Sequence, residues 1–174
     1  MRKVIIITAS LIIAASLWSC RKIVQLPPEP VIKYIGFAVF DTTDILGNSY
    51  KGGRLKFHFE DGDGDLGLPQ QTGDNPVDTI NLFITAYRKT NGTLTEVLPG
   101  DLLYTRGYRI PYMDRIGQYK ILRGTITISF LYQFYIPEDS AVLKYNFFVI
   151  DRALNKSNTE TTAEIPLSLN GLYK

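Results

Sequence analysis

The sequence predicts an all-β protein, an antiparallel β-sandwich of seven to eight strands. Three observations predict it. Runs of alternating apolar and polar residues recur, as in Leu55-Lys56-Phe57-His58-Phe59-Glu60 and Thr125-Ile126-Thr127-Ile128-Ser129-Phe130. Turn signals rich in Gly, Asn, Asp and Pro separate these runs. No stretch of about ten or more residues carries the apolar period of a helix.

The elements follow in chain order. Residues 31–40 are β-branched and aromatic and read as the first strand. Residues 55–60 alternate strictly and give a half-buried strand. Residues 79–87 give another, with Ile80, Leu82 and Ile84 opposed to Asn81, Phe83 and Thr85. Asn91-Gly92 is a hairpin turn signal and predicts a minor strand over 94–98. Residues 108–112 are short, and Pro111 restricts them to a sheet edge. Residues 124–132, 143–150 and 160–167 complete the set. No internal repeat is visible, so residues 31–174 are assigned to one sandwich domain.

Composition narrows the function. Of 174 residues, 45% are hydrophobic and 21% charged, the values of a globular chain. Lys and Arg number 19 against 17 Asp and Glu. Arg2 and Lys3 fall in a segment read below as removed, which leaves 17 basic and 17 acidic residues. A balanced chain lacks the basic surface that nucleic-acid binding needs, so no nucleic-acid partner is expected. One Cys and one His exclude an intrachain disulfide, a Cys-rich zinc site and a His-rich metal centre.

The first twenty residues carry targeting information. Arg2 and Lys3 precede an apolar run over 4–17, shorter than the ~20 residues a membrane-spanning helix needs. A short apolar core behind basic residues reads as a secretory signal. It ends Leu17-Trp18-Ser19-Cys20, which resembles the lipobox of bacterial lipoproteins. That resemblance implies a signal peptide over 1–19, cleavage before Cys20, and acyl chains (palmitate among them) on Cys20. Two or three chains anchor a protein stably to a bilayer, so the implied partner is the outer membrane. Residues 20–30 then form a tether. Pro27, Pro28 and Pro30 favour extended polyproline II. In some Gram-negative lineages acidic residues after the lipidated Cys direct export to the cell surface. Arg21 and Lys22 stand there instead, which implies the periplasmic face.

Tyr145-Asn146-Phe147-Phe148-Val149-Ile150-Asp151-Arg152-Ala153-Leu154-Asn155-Lys156-Ser157-Asn158 resembles the final hairpin of bacterial immunoglobulin-like domains. The resemblance implies an immunoglobulin-like sandwich, with Leu154 where glycine is commoner. It carries no activity, because the fold hosts many.

The sharpest motif is Asp61-Gly62-Asp63-Gly64-Asp65-Leu66-Gly67. In extended backbone, residues two apart project to one side, so the three carboxylates become neighbours. Unpaired, they repel and raise one another's pKa. A hard cation such as Ca²⁺ removes that penalty, taking six to eight oxygens. The glycines let the backbone curl around it. Leu66 and Thr72 occupy positions where an EF-hand loop needs Gly and Glu, so an EF-hand is rejected. Asp151, ending a strand near the last hairpin, is the first choice for a fourth ligand, with Asp41 and Asp44 behind it. The competing reading is a solvated Asp-Gly turn without a ligand. The segment also resembles one that follows a strand in uncharacterised Gram-negative lipoproteins, together with Phe57, Phe59 and Leu68.

Other candidates are weaker. No Gly-x-Ser-x-Gly accompanies His58, which reads as an exposed strand residue. Carboxylates on consecutive alternate positions look like ion ligands, not the opposed acids of a glycosidase. Residues 104–119 are rich in Tyr and Arg, residue types of binding hot spots. Tyr108, Arg109 and Tyr112 are nominated as a surface for a protein or glycan ligand. Asp41-Thr42-Thr43, Asp78-Thr79-Ile80 and Asp139-Ser140-Ala141 resemble an O-glycosylation sequon of one Gram-negative lineage. The expectation is a non-enzymatic, lipid-anchored binding or structural protein. The alternatives are a carbohydrate-active hydrolase and an accessory subunit of an outer-membrane nutrient-uptake system.

Overall fold

A computed structural model describes residues 26–70, 80–114, 121–132 and 141–174. The signal segment, Cys20 and the first part of the tether lie outside the described residues, as do Asp78, Asp139, Arg115 and Tyr119. The strands are β1 (Val31–Thr43), β2 (Ser49–Asp61), β3 (Leu82–Thr90), β4 (Thr93–Glu96), β5 (Gly107–Tyr108), β6 (Leu122–Tyr132), β7 (Val142–Val149), β8 (Glu160–Thr161), β9 (Ile165–Pro166) and β10 (Gly171–Tyr173).

They form two antiparallel sheets, β10-β1-β2-β6 and β4-β3-β7-β8. β5 pairs with β3 beside β4, and β9 pairs with β7 beside β8. Ten segments therefore fill eight strand positions, four in each sheet. Taken in order, β1, β2 and β6 are the A-B-E strands of an immunoglobulin-like sandwich. β4, β3, β7 and the β8/β9 pair are its C′-C-F-G strands. No strand stands at the D position among the described residues.

The core lies between the sheets. β1 supplies Ile32, Phe37 and Val39, β2 supplies Leu55, Phe57 and Phe59, and β7 supplies Leu143, Tyr145, Phe147 and Val149. Ile32 and Phe37 differ in parity yet both face inward. A bulge at Ile35, between the pairs of Tyr34 and Gly36, shifts the register by one and reverses the alternation. β2 runs six residues earlier than its alternation predicts. Gly52 and Gly53 conceal that stretch in the sequence. A Cβ at Gly52 would lie 2.5 Å from the Phe40 ring, and one at Gly53 would lie 2.6 Å from the Phe37 ring. Each glycine makes room for an aromatic face.

The last predicted strand is broken into β8 and β9. Thr162 accounts for the break. Its N–H donates to Tyr145 O at 2.9 Å, while its hydroxyl accepts the Tyr145 N–H at 3.0 Å. A side chain thus replaces a ladder bond, and Pro166 beyond it offers no N–H. Ser157 treats Val149 the same way. Asn91 (φ 50°) and Gly92 (φ 80°) form the predicted turn between β3 and β4.

At the centre, Phe37, Phe130 and Tyr145 stack with centroids 5.3–5.6 Å apart. The Tyr132 and Tyr145 hydroxyls share a buried hydrogen bond of 2.8 Å. Tyr145→Phe is expected to cost about 1–3 kcal/mol by stranding the Tyr132 hydroxyl. Adding Tyr132→Phe should return most of that loss. A double-mutant cycle in denaturant measures the coupling, and additive losses would exclude the shared bond as the cause.

Candidate metal centre

The acidic motif sits where three elements end together. β2 ends at Asp61, β7 delivers Asp151 just past Val149, and Asn81, just before β3, accepts the Ile150 N–H at 2.9 Å. Each of Asp61, Asp63, Asp65 and Asp151 contributes an oxygen to one group whose members all lie within 4.8 Å of one another. Oxygens on opposite sides of a calcium ion bound at 2.3–2.6 Å stand roughly 4.6–5.2 Å apart. The four oxygens therefore fit within a single coordination shell.

Local contacts explain the convergence. Leu66 is fully buried in the core and pins the loop behind the carboxylates. Its N–H donates to Asp61 Oδ2 at 2.7 Å. Gly67 has φ 100°, and a Cβ there would lie 2.4 Å from Pro111 O, so only glycine fits. On the other side, Asp151 and Asn155 close a tight loop. Asn155 N–H donates to Asp151 Oδ1 at 2.8 Å, and its side-chain amide donates to Oδ2 at 2.9 Å. Leu154, where glycine is commoner, takes the left-handed conformation at φ 69°. The Ala153 backbone amide of this loop acts on Asp65 too, lowering its carboxyl pKa against the larger effect of burial.

Charge and burial oppose each other here. Asp61 is fully buried and Asp151 is 2% exposed. Oδ1 of Asp61, Asp63 and Asp65 are shut from solvent and accept no hydrogen bond. Burial raises the Asp61 carboxyl to about 6, assisted by Asp63 and Asp65 and opposed by the Leu66 amide. Burial also raises Asp65, and Asp151 and Asp63 add to it while Arg152 opposes. A buried carboxylate oxygen without a partner is costly, and a cation is the partner that four acids together attract. The cluster can hold a metal ion, and its all-oxygen donors suit a hard one.

Two arginines brace the loop. Arg152 Nη1 donates to Gly67 O at 2.9 Å and its guanidinium lies 4.9 Å from the Tyr112 ring centroid. Arg109 Nη2 donates to Leu68 O at 3.2 Å and to Pro69 O. The nominated ligand surface is accordingly divided. Arg109 and Tyr112 line a groove of about 480 Å³ with Leu68, Pro69 and Pro111. Tyr108 turns inward instead and meets Phe130 edge-on at 5.5 Å. The three do not share one exposed face, because the chain over 107–108 pairs with β3 and its aromatic side chain reaches the core.

Asp41 and Asp44 lie at the opposite end of β1. Lys51 and Asn170 hold Asp41 below the usual carboxylate range, and Asn48 does the same for Asp44. Asp44 instead shapes the hairpin tip, accepting the Leu46 N–H at 2.8 Å and the Asn48 N–H at 2.9 Å. His58 stands 3.7 Å from Glu60 on the outer face, away from the acids.

Sequence reading did not single out Asn155, Arg152 or Asn81. Asn155 carried a signal, since an amide four residues after a strand-ending Asp closes a turn. Asn81 Oδ1 accepts the Ile110 N–H at 2.6 Å, while its backbone carbonyl accepts the Ile150 N–H at 2.9 Å. That link depends on residues 29 and 69 positions away, which no local pattern reveals. Finally, Leu26 and Pro27 cross directly over the motif: a Cβ at Gly62 would lie 2.2 Å from Pro27 O and 2.6 Å from Leu26 O. Compared with known protein families, curated proteins and solved structures, the chain matches none of them.

Proposed function

We propose that this protein is a lipid-anchored domain of the bacterial envelope, held to the outer membrane through Cys20 and braced by one calcium ion. Its task is to bind or position a protein or glycan partner near the membrane. The observation that carries the reading is the buried Asp61 Oδ1, without a hydrogen-bond partner and facing three further carboxylates. Calcium suits the site because it accepts many oxygens in an irregular shell, whereas magnesium demands a near-ideal octahedron.

The closed geometry favours a brace over catalysis. The Oδ1 atoms of Asp61, Asp63 and Asp65 are screened from solvent, where no glycosidic bond reaches them. Hydrolysis by paired carboxyls needs a sugar between them, with separations of ~5 Å or more held open. The ion instead ties the end of β2 to the end of β7, one strand from each sheet.

Equilibrium dialysis of the full chain in detergent micelles with radioactive calcium tests the brace. One ion per chain is expected, lost in Asp63→Ala. Metabolic labelling with palmitate tests the anchor, with loss of label expected in Cys20→Ala. Calcium uptake that survives Asp63→Ala would defeat the site, and label that survives Cys20→Ala would defeat the anchor.

A further inference from the structure

The sandwich protects its sheet edges unevenly. The outer edge of β1 is covered by β10 and, before it, by side chains: Asn158 exchanges two hydrogen bonds with the Ile32 backbone, and Glu160 accepts the Tyr34 N–H. One edge of the second sheet is the four-residue β4 with the two-residue β5. Its other edge is the broken β8/β9 pair with Pro166. Short, interrupted or proline-bearing edges resist pairing with another chain.

Among the described residues β6 has none of these protections. It runs unbroken for eleven residues, pairs with β2 on one side, and has no strand on its other side among the described residues. Arg123 is its only charged residue, and it carries neither Lys nor Pro. Its inward Leu122, Ile126 and Ile128 are only partly buried, whereas Leu55 and Phe57 beside them on β2 are fully buried. Apolar surface therefore remains along this edge.

Hydrogen-bond alternation identifies the free groups. The Asp44 N–H donates to Asn48 O, which makes that opposed pair a bonded one. The ladder is unshifted from there to Gly36/Lys56 and throughout β2–β6. Bonded pairs alternate in antiparallel sheets, so even residues of β2 face β1 and odd residues face β6. Even residues of β6 then face β2. The N–H and C=O groups of Arg123, Thr125, Thr127, Ser129 and Leu131 point outward.

The sequence of this edge is self-complementary about Thr127. A two-fold axis there opposes Thr127 to Thr127, Ile126 to Ile128, Thr125 to Ser129, Gly124 to Phe130 and Arg123 to Leu131. No like charges meet. Thr127/Thr127 and Thr125/Ser129 set hydroxyls opposite one another on the outer face, and Ile126/Ile128 sets aliphatic side chains opposite one another on the inner one, both favourable across antiparallel strands. A closed two-fold contact also leaves no further edge to propagate.

We propose that a second copy of this chain covers β6, with the two β6 strands pairing antiparallel about Thr127 to join the sheets into one of eight strands. The pairing rests on the sandwich alone and needs neither calcium nor the anchor. It also sets an orientation for anchored chains. The tether ends of the two copies lie toward opposite ends of the joined strands.

Sedimentation of the full chain in density-matched detergent tests this. The protein mass should be that of two chains. Thr127→Pro removes an N–H that points away from β2, so it should leave the β-sheet circular dichroism intact and halve the mass. Thr127→Lys, which opposes two ammonium groups across the axis, should also halve it and serves if the proline variant fails to fold. Thr127→Val should remain a two-chain particle. A single-chain mass for the unaltered protein at about 100 µM would overturn the proposal. So would a two-chain mass that persists in a folded Thr127→Pro or Thr127→Lys variant.

Discussion

Millimolar calcium is expected to raise the melting temperature of the chelated protein by about 5–10 °C. A ligand at ~100 times its dissociation constant adds ~2.7 kcal/mol when it binds only the folded state. For a chain of this size each kcal/mol shifts the melt by roughly 2–4 °C. The gain is large because the ion relieves an existing penalty as well as adding bonds. Three screened carboxylate oxygens acquire a partner at once. Asp63→Ala should abolish the shift without disturbing the core, since Asp63 is only partly buried. Magnesium at the same concentration should give a much smaller rise. An equal rise with magnesium would rule out a calcium-selective shell, and no rise with either ion would leave the motif a solvated turn.

The second large effect is a pH dependence of unusual sign. Burial raises Asp61 from 3.8 to about 6 in the folded chain. A carboxyl whose folded pKa lies above its unfolded value costs nothing below the unfolded value. It destabilises the fold as pH rises through the window between the two. In chelator, stability should therefore fall between about pH 4 and pH 6.5, by of order 2–3 kcal/mol from this residue. Asp41 and Asp44 have lowered pKa values and oppose this only below that window, where they become protonated. Asp61→Asn keeps an acceptor for the Leu66 N–H and removes the charge. The variant should melt higher than the unaltered chain in chelator at pH 7, keep only the smaller part of the decline that the raised Asp65 carboxyl contributes, and gain nothing from calcium. A decline of equal size in Asp61→Asn would place its origin elsewhere.

Much of this was legible in the sequence, for definable reasons. The alternation over Thr125 to Phe130 places β6 because each inward residue there meets the core at period two. The four carboxylates were nominated together, and they converge. Asp61, Asp63 and Asp65 are near in sequence, and Asp151 ends the strand whose hairpin resembled a known one. The misses come from long-range effects. Gly52 and Gly53 leave the first part of β2 without an alternation to read, and the rings of Phe40 and Phe37 that lie over them come from another strand. β10 is three residues long and exists because the β1 edge offers it bonds. Thr162 divides the last strand with a hydroxyl, a choice that any threonine leaves open. Tyr108 looked like surface because tyrosines often are, and only its pairing opposite Leu82 turns it toward Phe130.

The crossing of Leu26 and Pro27 over Gly62 has a mechanical consequence. Tension applied at residue 26 enters the fold at the acidic loop, then passes into β1. That strand is bonded to β2 along its length and to β10 over Phe37 to Val39. A pull along the strand axis loads these rungs in shear, all at once, instead of peeling them one by one. The loop under the crossing is the first part to yield or hold. An ion bound there would stiffen it and so change how abruptly the domain takes up force applied at residue 26.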